Sequence, residues 1–127
     1  MDPVVHFEMP YDDAARMMKF YKAAFGWKMK GMGEKMGNYV LATTSANGPD
    51  GRPKEPGAIN GGLMRRTKDT PAPVVTIGVD AIDDSLKKVE AGGGSTITPR
   101  TEIPNMGAFA YFKDSEGNVV GLWETMG

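Results

Sequence analysis

The only histidine among the 127 residues, His6, stands two positions from a carboxylate, Glu8. In the run Val4 to Met9, a period of two sends Val5, Phe7 and Met9 to one side of a strand and Val4, His6 and Glu8 to the other. An imidazole and a carboxylate leaving the same face can converge on one space and work as an acid/base pair near neutral pH. A carboxylate is costly to bury without a partner or water, so the plainer alternative for Glu8 is an internal ion pair or a rim position. For His6 the plainer alternative is a hydrogen-bonded, inherited residue.

The rest of the composition narrows the chemistry. There is no Cys, which removes thiolate nucleophiles, disulfides and zinc-ribbon spacings. A net charge of −1 argues against a nucleic-acid partner, whose binding depends on clustered cations. The small basic group of Arg65, Arg66 and Lys68 reads as a solvated strand end. No apolar stretch approaches the roughly eighteen residues of a membrane span, and MDPVVHF lacks the pattern of a secretory leader. The expectation is a soluble, cytoplasmic protein with no membrane partner.

Positioning His6 and Glu8 falls to a strand and the helix that follows it. Asp12 or Asp13 is the natural N-cap, Ala14, Met17, Met18, Tyr21, Ala24 and Phe25 form an apolar stripe, and Gly26 ends the helix. The chain states this plan twice. Val74, Val75, Ile77 and Val79 answer to Val4, Val5, Phe7 and Met9 at about seventy residues' distance. Asp83–Asp84 answer to Asp12–Asp13, opening a second helix that turns Ile82, Leu86 and Val89 inward. After the first helix, residues 27–33, 38–44 and 58–66 read as strands. Residues 45–57, with Asn47-Gly48, Asp50-Gly51 and prolines, read as a long irregular loop able to cover a pocket mouth. After the second helix, strands are expected at 95–99, 108–114 and 118–124, with a tight turn at Asp114-Ser-Glu-Gly117. The tally is β-α-β-β-β twice, giving one α+β domain over residues 1–127 with modules at 1–66 and 73–127.

Three stretches carry a family likeness: Phe20-Tyr21 followed by Phe25-Gly26-Trp27, the Gly78-Val-Asp80 entry to the second helix, and Asp114-Ser-Glu-Gly-Asn118 before Gly121-Leu-Trp-Glu124. With the tally, they resemble the vicinal oxygen chelate superfamily, which includes glyoxalase I, bleomycin-resistance proteins and extradiol dioxygenases, over essentially the whole chain. The resemblance implies two βαβββ modules whose curled sheets enclose a cleft. It also implies, in metal-dependent members, one ligand on the inward face of the first, fourth, fifth and last strands. His6 matches the first position. The second falls on Asn60 or Gly62, the third on Val74 and the fourth on Gly121, while Glu124 has the opposite parity unless a bulge reverses it.

With one ligand of four, the leading expectation is a protein that binds a small organic molecule in the cleft with no metal or other cofactor. Its contacts would be His6, Glu8, Asn60, Met64, Thr76, Tyr111 and Trp123, with His6 and Glu8 the best catalytic candidates should it prove to be an enzyme. The alternative is a metal-dependent lyase or dioxygenase-like enzyme using His6, Glu8 and Glu124 in a rearranged ligand set. A third reading fills the cleft with the chain's own side chains and has the protein act by association. A homodimer is expected because many relatives pair.

Overall fold

The structure, a computed structural model, describes residues 1–126. Asp13 starts the first helix, α1 (Ala14–Phe25): its backbone is extended and its carboxylate accepts from the Arg16 N–H at 2.9 Å. Gly26 ends α1 in the left-handed region at φ 73°, where its N–H reaches the Lys22 carbonyl, a conformation that costs glycine nothing. Met17, Met18 and Tyr21 pack with Phe7 and Met9 of β1 (Val4–Tyr11) against a buried group of Tyr11, Val40, Ala42 and Leu63. The strands β2 (Lys28–Gly31), β3 (Val40–Thr43) and β4 (Gly61–Arg65) complete this sheet in the order β2-β3-β4-β1, with β4 parallel to β1. These elements, from His6 to Pro73, form one compact unit. The Arg66 guanidinium pairs with Asp12 at 2.9 Å and also donates to the Pro71 carbonyl, so it has fixed partners beyond the solvated strand end expected of it.

The segment expected to be irregular has a built hairpin at its centre. Asn47 bridges Pro53, Gly48 N–H donates to the Arg52 carbonyl at 2.7 Å, and Lys54 N–H donates to the Ala46 carbonyl at 2.9 Å.

The second compact unit joins Met1–Val5 to the chain from Val74 onwards. Its strands are β5 (Val74–Gly78), β6 (Ser95–Ile103), β7 (Gly107–Lys113) and β8 (Val119–Thr125), in the order β5-β8-β7-β6, again with the first and last strands parallel. The helix α2 (Ile82–Ala91) buries Ile82 and Leu86 against Ala108, Ala110, Phe112, Val120 and Leu122. The edge strand β6 runs four residues past Pro99, where it was expected to stop. Register shifts between Thr96 and Thr98 and between Thr98 and Thr101 absorb a proline that has no N–H for the ladder. The Asp114 carboxylate accepts from the N–H groups of Glu116 and Asn118 and from the Asn118 amide, and these bonds hold its pKa below the usual carboxylate value.

Two details of the repeat differ from the sequence reading. Ala14 and Ile82, which begin the two helices, are 68 positions apart, as are Glu8 and Thr76, which face Gly62 and Gly121 in matching parallel registers. The true offset is therefore two residues shorter than the apolar residues suggest, and parity is unaffected. The second helix is also not capped by its own aspartates. Ala81 holds the N-cap position, Asp83 and Asp84 lie inside the first turn, and the Ile82 N–H is met at 2.8 Å by the carboxylate of Glu124 from β8.

Candidate functional site

In the first unit the helix claims Phe7, Met9 and Tyr11, so the pleat sends His6, Glu8 and Pro10 to the opposite face. The parallel register sets Glu8 beside Gly62 and Pro10 beside Met64, and the antiparallel register sets Leu41 on the far side of Gly62. Tyr39, one residue before β3, shares the parity of Leu41. Its ring lies over Gly62 so closely that a Cβ there would stand far inside the 3.0 Å that real Cβ contacts respect, against the phenol oxygen and two ring carbons. From that position Tyr39 Oη is 2.9 Å from His6 Nε2. The missing side chain at 62 makes the space, the tyrosine fills it, and the imidazole is tied down as a result. Burial pushes the His6 pKa below its ordinary 6.5, and the charge of Glu8, itself only 8 % exposed, opposes that shift without overcoming it. The face therefore presents a neutral imidazole at neutral pH.

Asn60 serves the neighbouring loop. Its Oδ1 accepts from the N–H groups of Thr44 and Ser45 at 2.7 and 2.9 Å, and its amide donates to the Ser45 carbonyl and to Asn47. The polar atoms expected to meet a ligand thus anchor the base of the hairpin. Met64 is part-buried at the edge of the same face.

The second unit carries Thr76, Tyr111 and Trp123 on the face away from α2. One row across its strands reads Thr98, Tyr111, Gly121, Thr76, and the next reads Thr101, Phe109, Trp123, Gly78. Tyr111 meets Phe109 edge to face at 5.9 Å, and the Trp123 ring crosses over Gly107. Thr76 is 5 % exposed, and its hydroxyl is the one buried side-chain polar atom among the described residues without a hydrogen-bond partner. A Cβ on Gly121 would stand 2.9 Å from it.

The residues do not fit the four-ligand metal set that the resemblance implies. Gly62 and Gly121 have no donor atoms, Val74 is apolar and buried, and the Asn60 oxygen is spent on backbone N–H groups. The remaining donor, His6 Nε2, is engaged by Tyr39. Among the described residues no three His, Asp or Glu side chains come together. Nor is Glu124 available to a rearranged set. It lies on the α2 side of β8, caps that helix, and forms a two-pronged pair with Arg100 at 2.7 and 3.2 Å. Both partners hold its pKa below 4.5, the Arg100 hydrogen bond more than the Ile82 N–H. Two surface cavities, about 340 Å³ beside Arg100 and Glu124 and about 320 Å³ beside Asp13 and Arg16, include none of the predicted contacts.

Tyr39 and the Glu124 cap are the two features the sequence reading missed. The signal for the second was present, since Glu124 shares its parity with Val120 and Leu122 and so belongs on the helix side. For Tyr39 the only signal was its parity with Leu41, which does not say that it crosses a glycine.

Residues 4–122 match the family model described as Glyoxalase/Bleomycin resistance protein/Dioxygenase superfamily. The proteins named "Putative glyoxylase CFP32" of Mycobacterium tuberculosis and Mycobacterium bovis are 31% identical over 115 residues, covering 88% of this chain and 41% of each relative. The chain thus spans about two-fifths of their length. Among solved structures, a Streptomyces coelicolor methylmalonyl-CoA epimerase variant in complex with 2-nitronate-propionyl-CoA superposes with a TM-score of 0.69 at 14% identity, over 98% of this chain and 97% of that one. A hypothetical protein of Bacillus halodurans gives 0.68 at 13% identity, over 99% and 96%. At such identities the likeness is one of fold.

Proposed function

Because the chain belongs to the glyoxalase/bleomycin resistance protein/dioxygenase superfamily, we propose that it binds a small organic molecule, and does so without the superfamily's metal-ligand set. The observation that carries this reading is Gly62 covered by Tyr39: of the two positions where the resemblance implies a ligand side chain, Asn60 spends its oxygen on backbone N–H groups, and Gly62 has no side chain, its space taken by a phenol bonded to His6. In the first unit, His6, Glu8 and Met64 offer a part-buried face with few polar atoms, the usual make-up of an organic-ligand surface. In the second, Tyr111 and Trp123 offer aromatic surface, with Phe109 beside them. The epimerases of similar fold take coenzyme A thioesters in their solved complexes. On this chain the buried carboxylate of Glu8 beside His6 makes an acidic acyl group a poor fit there.

The test is metal analysis of purified protein together with a thermal-shift screen of small aromatic and aliphatic compounds, each run with and without EDTA. Binding that survives chelation in protein holding far less than one metal per chain supports the proposal. Stoichiometric metal whose removal abolishes binding would overturn it.

A further inference from the structure

We propose that Tyr39 is a positioning residue that fixes the tautomer of His6, so that His6 Nδ1–H recognises an uncharged acceptor oxygen, such as a ketone or aldehyde, on the bound molecule. The inference rests on the small-molecule reading above and names the polar end of its ligand. A phenol O–H donates to an imidazole nitrogen more strongly than an imidazole N–H donates to a phenol oxygen. At 2.9 Å the bond therefore runs from Tyr39 to Nε2 and leaves the single proton of the neutral ring on Nδ1. Among the described residues Tyr39 makes the one hydrogen bond to this imidazole, and Nδ1 is not among their buried unpartnered atoms, so it remains in reach of solvent. Glu8, two residues along on the same face, holds negative charge close enough to act on the ring. A carboxylate or phosphate brought to Nδ1 would meet that charge, whereas a carbonyl oxygen would not. Gly62 makes the arrangement possible, because any side chain there evicts the phenol.

With a single histidine in the chain, imidazole nitrogen NMR reports this residue alone. In wild-type protein labelled with ¹⁵N at His, recorded at pH 8, the expected spectrum shows Nδ1 protonated and Nε2 bare. Tyr39→Phe and Gly62→Ala should both return the ring towards the Nε2-protonated form preferred in solution, the second with the phenol still present. A wild-type ring protonated on Nε2, or a tautomer untouched by Tyr39→Phe, would overturn the inference. The ligand arm uses acetophenone and 2-acetonaphthone against benzoate and 2-naphthoate, followed by saturation-transfer NMR. Ketone binding that weakens about fivefold to tenfold in Tyr39→Phe, as loss of one oriented hydrogen bond predicts, supports it. Carboxylates binding as tightly as ketones would overturn the choice of ligand. Should the tautomer behave as stated while no compound in the broader screen binds, the small-molecule reading fails and the positioning of His6 by Tyr39 stands.

Discussion

Replacing Gly62 with alanine tests the packing that underlies the site, and its cost can be worked out beforehand. The new Cβ would overlap the phenol oxygen and two ring carbons of Tyr39, so the ring must leave. Overpacking of this kind costs roughly 1–3 kcal/mol. The lost hydrogen bond to His6 adds roughly 0.5–1.5 kcal/mol. Against these, alanine is favoured over glycine within a strand by roughly 0.5–1 kcal/mol. The net loss expected in urea unfolding is about 1–3 kcal/mol, read as a lower midpoint with an unchanged slope. The decisive comparison is the same substitution in a Tyr39→Ala background. There the obstructing ring is gone and the alanine should be neutral or slightly stabilising, giving a coupling of about 1–4 kcal/mol. Gly61→Ala is the control. Its Cβ would press on the Phe7 carbonyl, which cannot swing aside, and on the Phe7 ring at 2.6 Å, so Tyr39→Ala should not rescue it. A Gly62→Ala cost that is the same with and without the tyrosine would refute the account of this site.

Further expectations attach to other residues. Glu124→Ala should lose about 1 kcal/mol from the uncapped Ile82 N–H, and Glu124→Gln, which keeps an acceptor there, should lose less by the same urea assay. Because the folded pKa of Glu124 lies below 4.5, the part of its stabilisation that depends on charge is complete above that pH and is lost as pH falls through the folded value. The gap between wild type and Glu124→Ala should therefore narrow on acidification below 4.5, towards that between Glu124→Gln and Glu124→Ala. Thr76→Val removes a buried hydroxyl that has no partner, so unfolding should show no change or a gain of up to about 1 kcal/mol; a loss of 1 kcal/mol or more would mean the hydroxyl is bonded. Asn60→Ala strips five hydrogen bonds from the base of the hairpin, and amide exchange over residues 45–54 should quicken while that of β7 and β8 does not.

Strand faces were legible because period two is a local property: the assignment of His6 and Glu8 to one side and Phe7 and Met9 to the other needs only the sequence of β1. The helices were legible for the same reason, with the first helix's cap narrowed to Asp12 or Asp13, of which Asp13 serves, and its stop at Gly26. What stayed hidden depends on register between distant strands. Asn60 has a plausible parity for ligand contact, yet whether its amide reaches a ligand or the Thr44 and Ser45 N–H groups is decided by where β3 ends. The Glu124 cap likewise joins residues 42 positions apart, and no local rule connects a strand's end to a helix's start.

The repeat itself shows how the two units diverged at one equivalent position. In each, the first and last strands run parallel and set a buried polar side chain beside a glycine, Glu8 with Gly62 and Thr76 with Gly121. Glycine opposite a polar residue leaves a notch, and a notch must be filled, bonded across or left at a cost. The first unit fills its notch with Tyr39, whose phenol then finds the imidazole at position 6. The second has Val74 where the first has His6, so a phenol arriving there would find no imidazole to bond. Instead the atoms nearest the Gly121 notch belong to Thr76, including the hydroxyl that lacks a partner. The polar chemistry of the first unit thus depends on His6, Gly62 and Tyr39 being present together, and removing any one of them should undo what the other two provide.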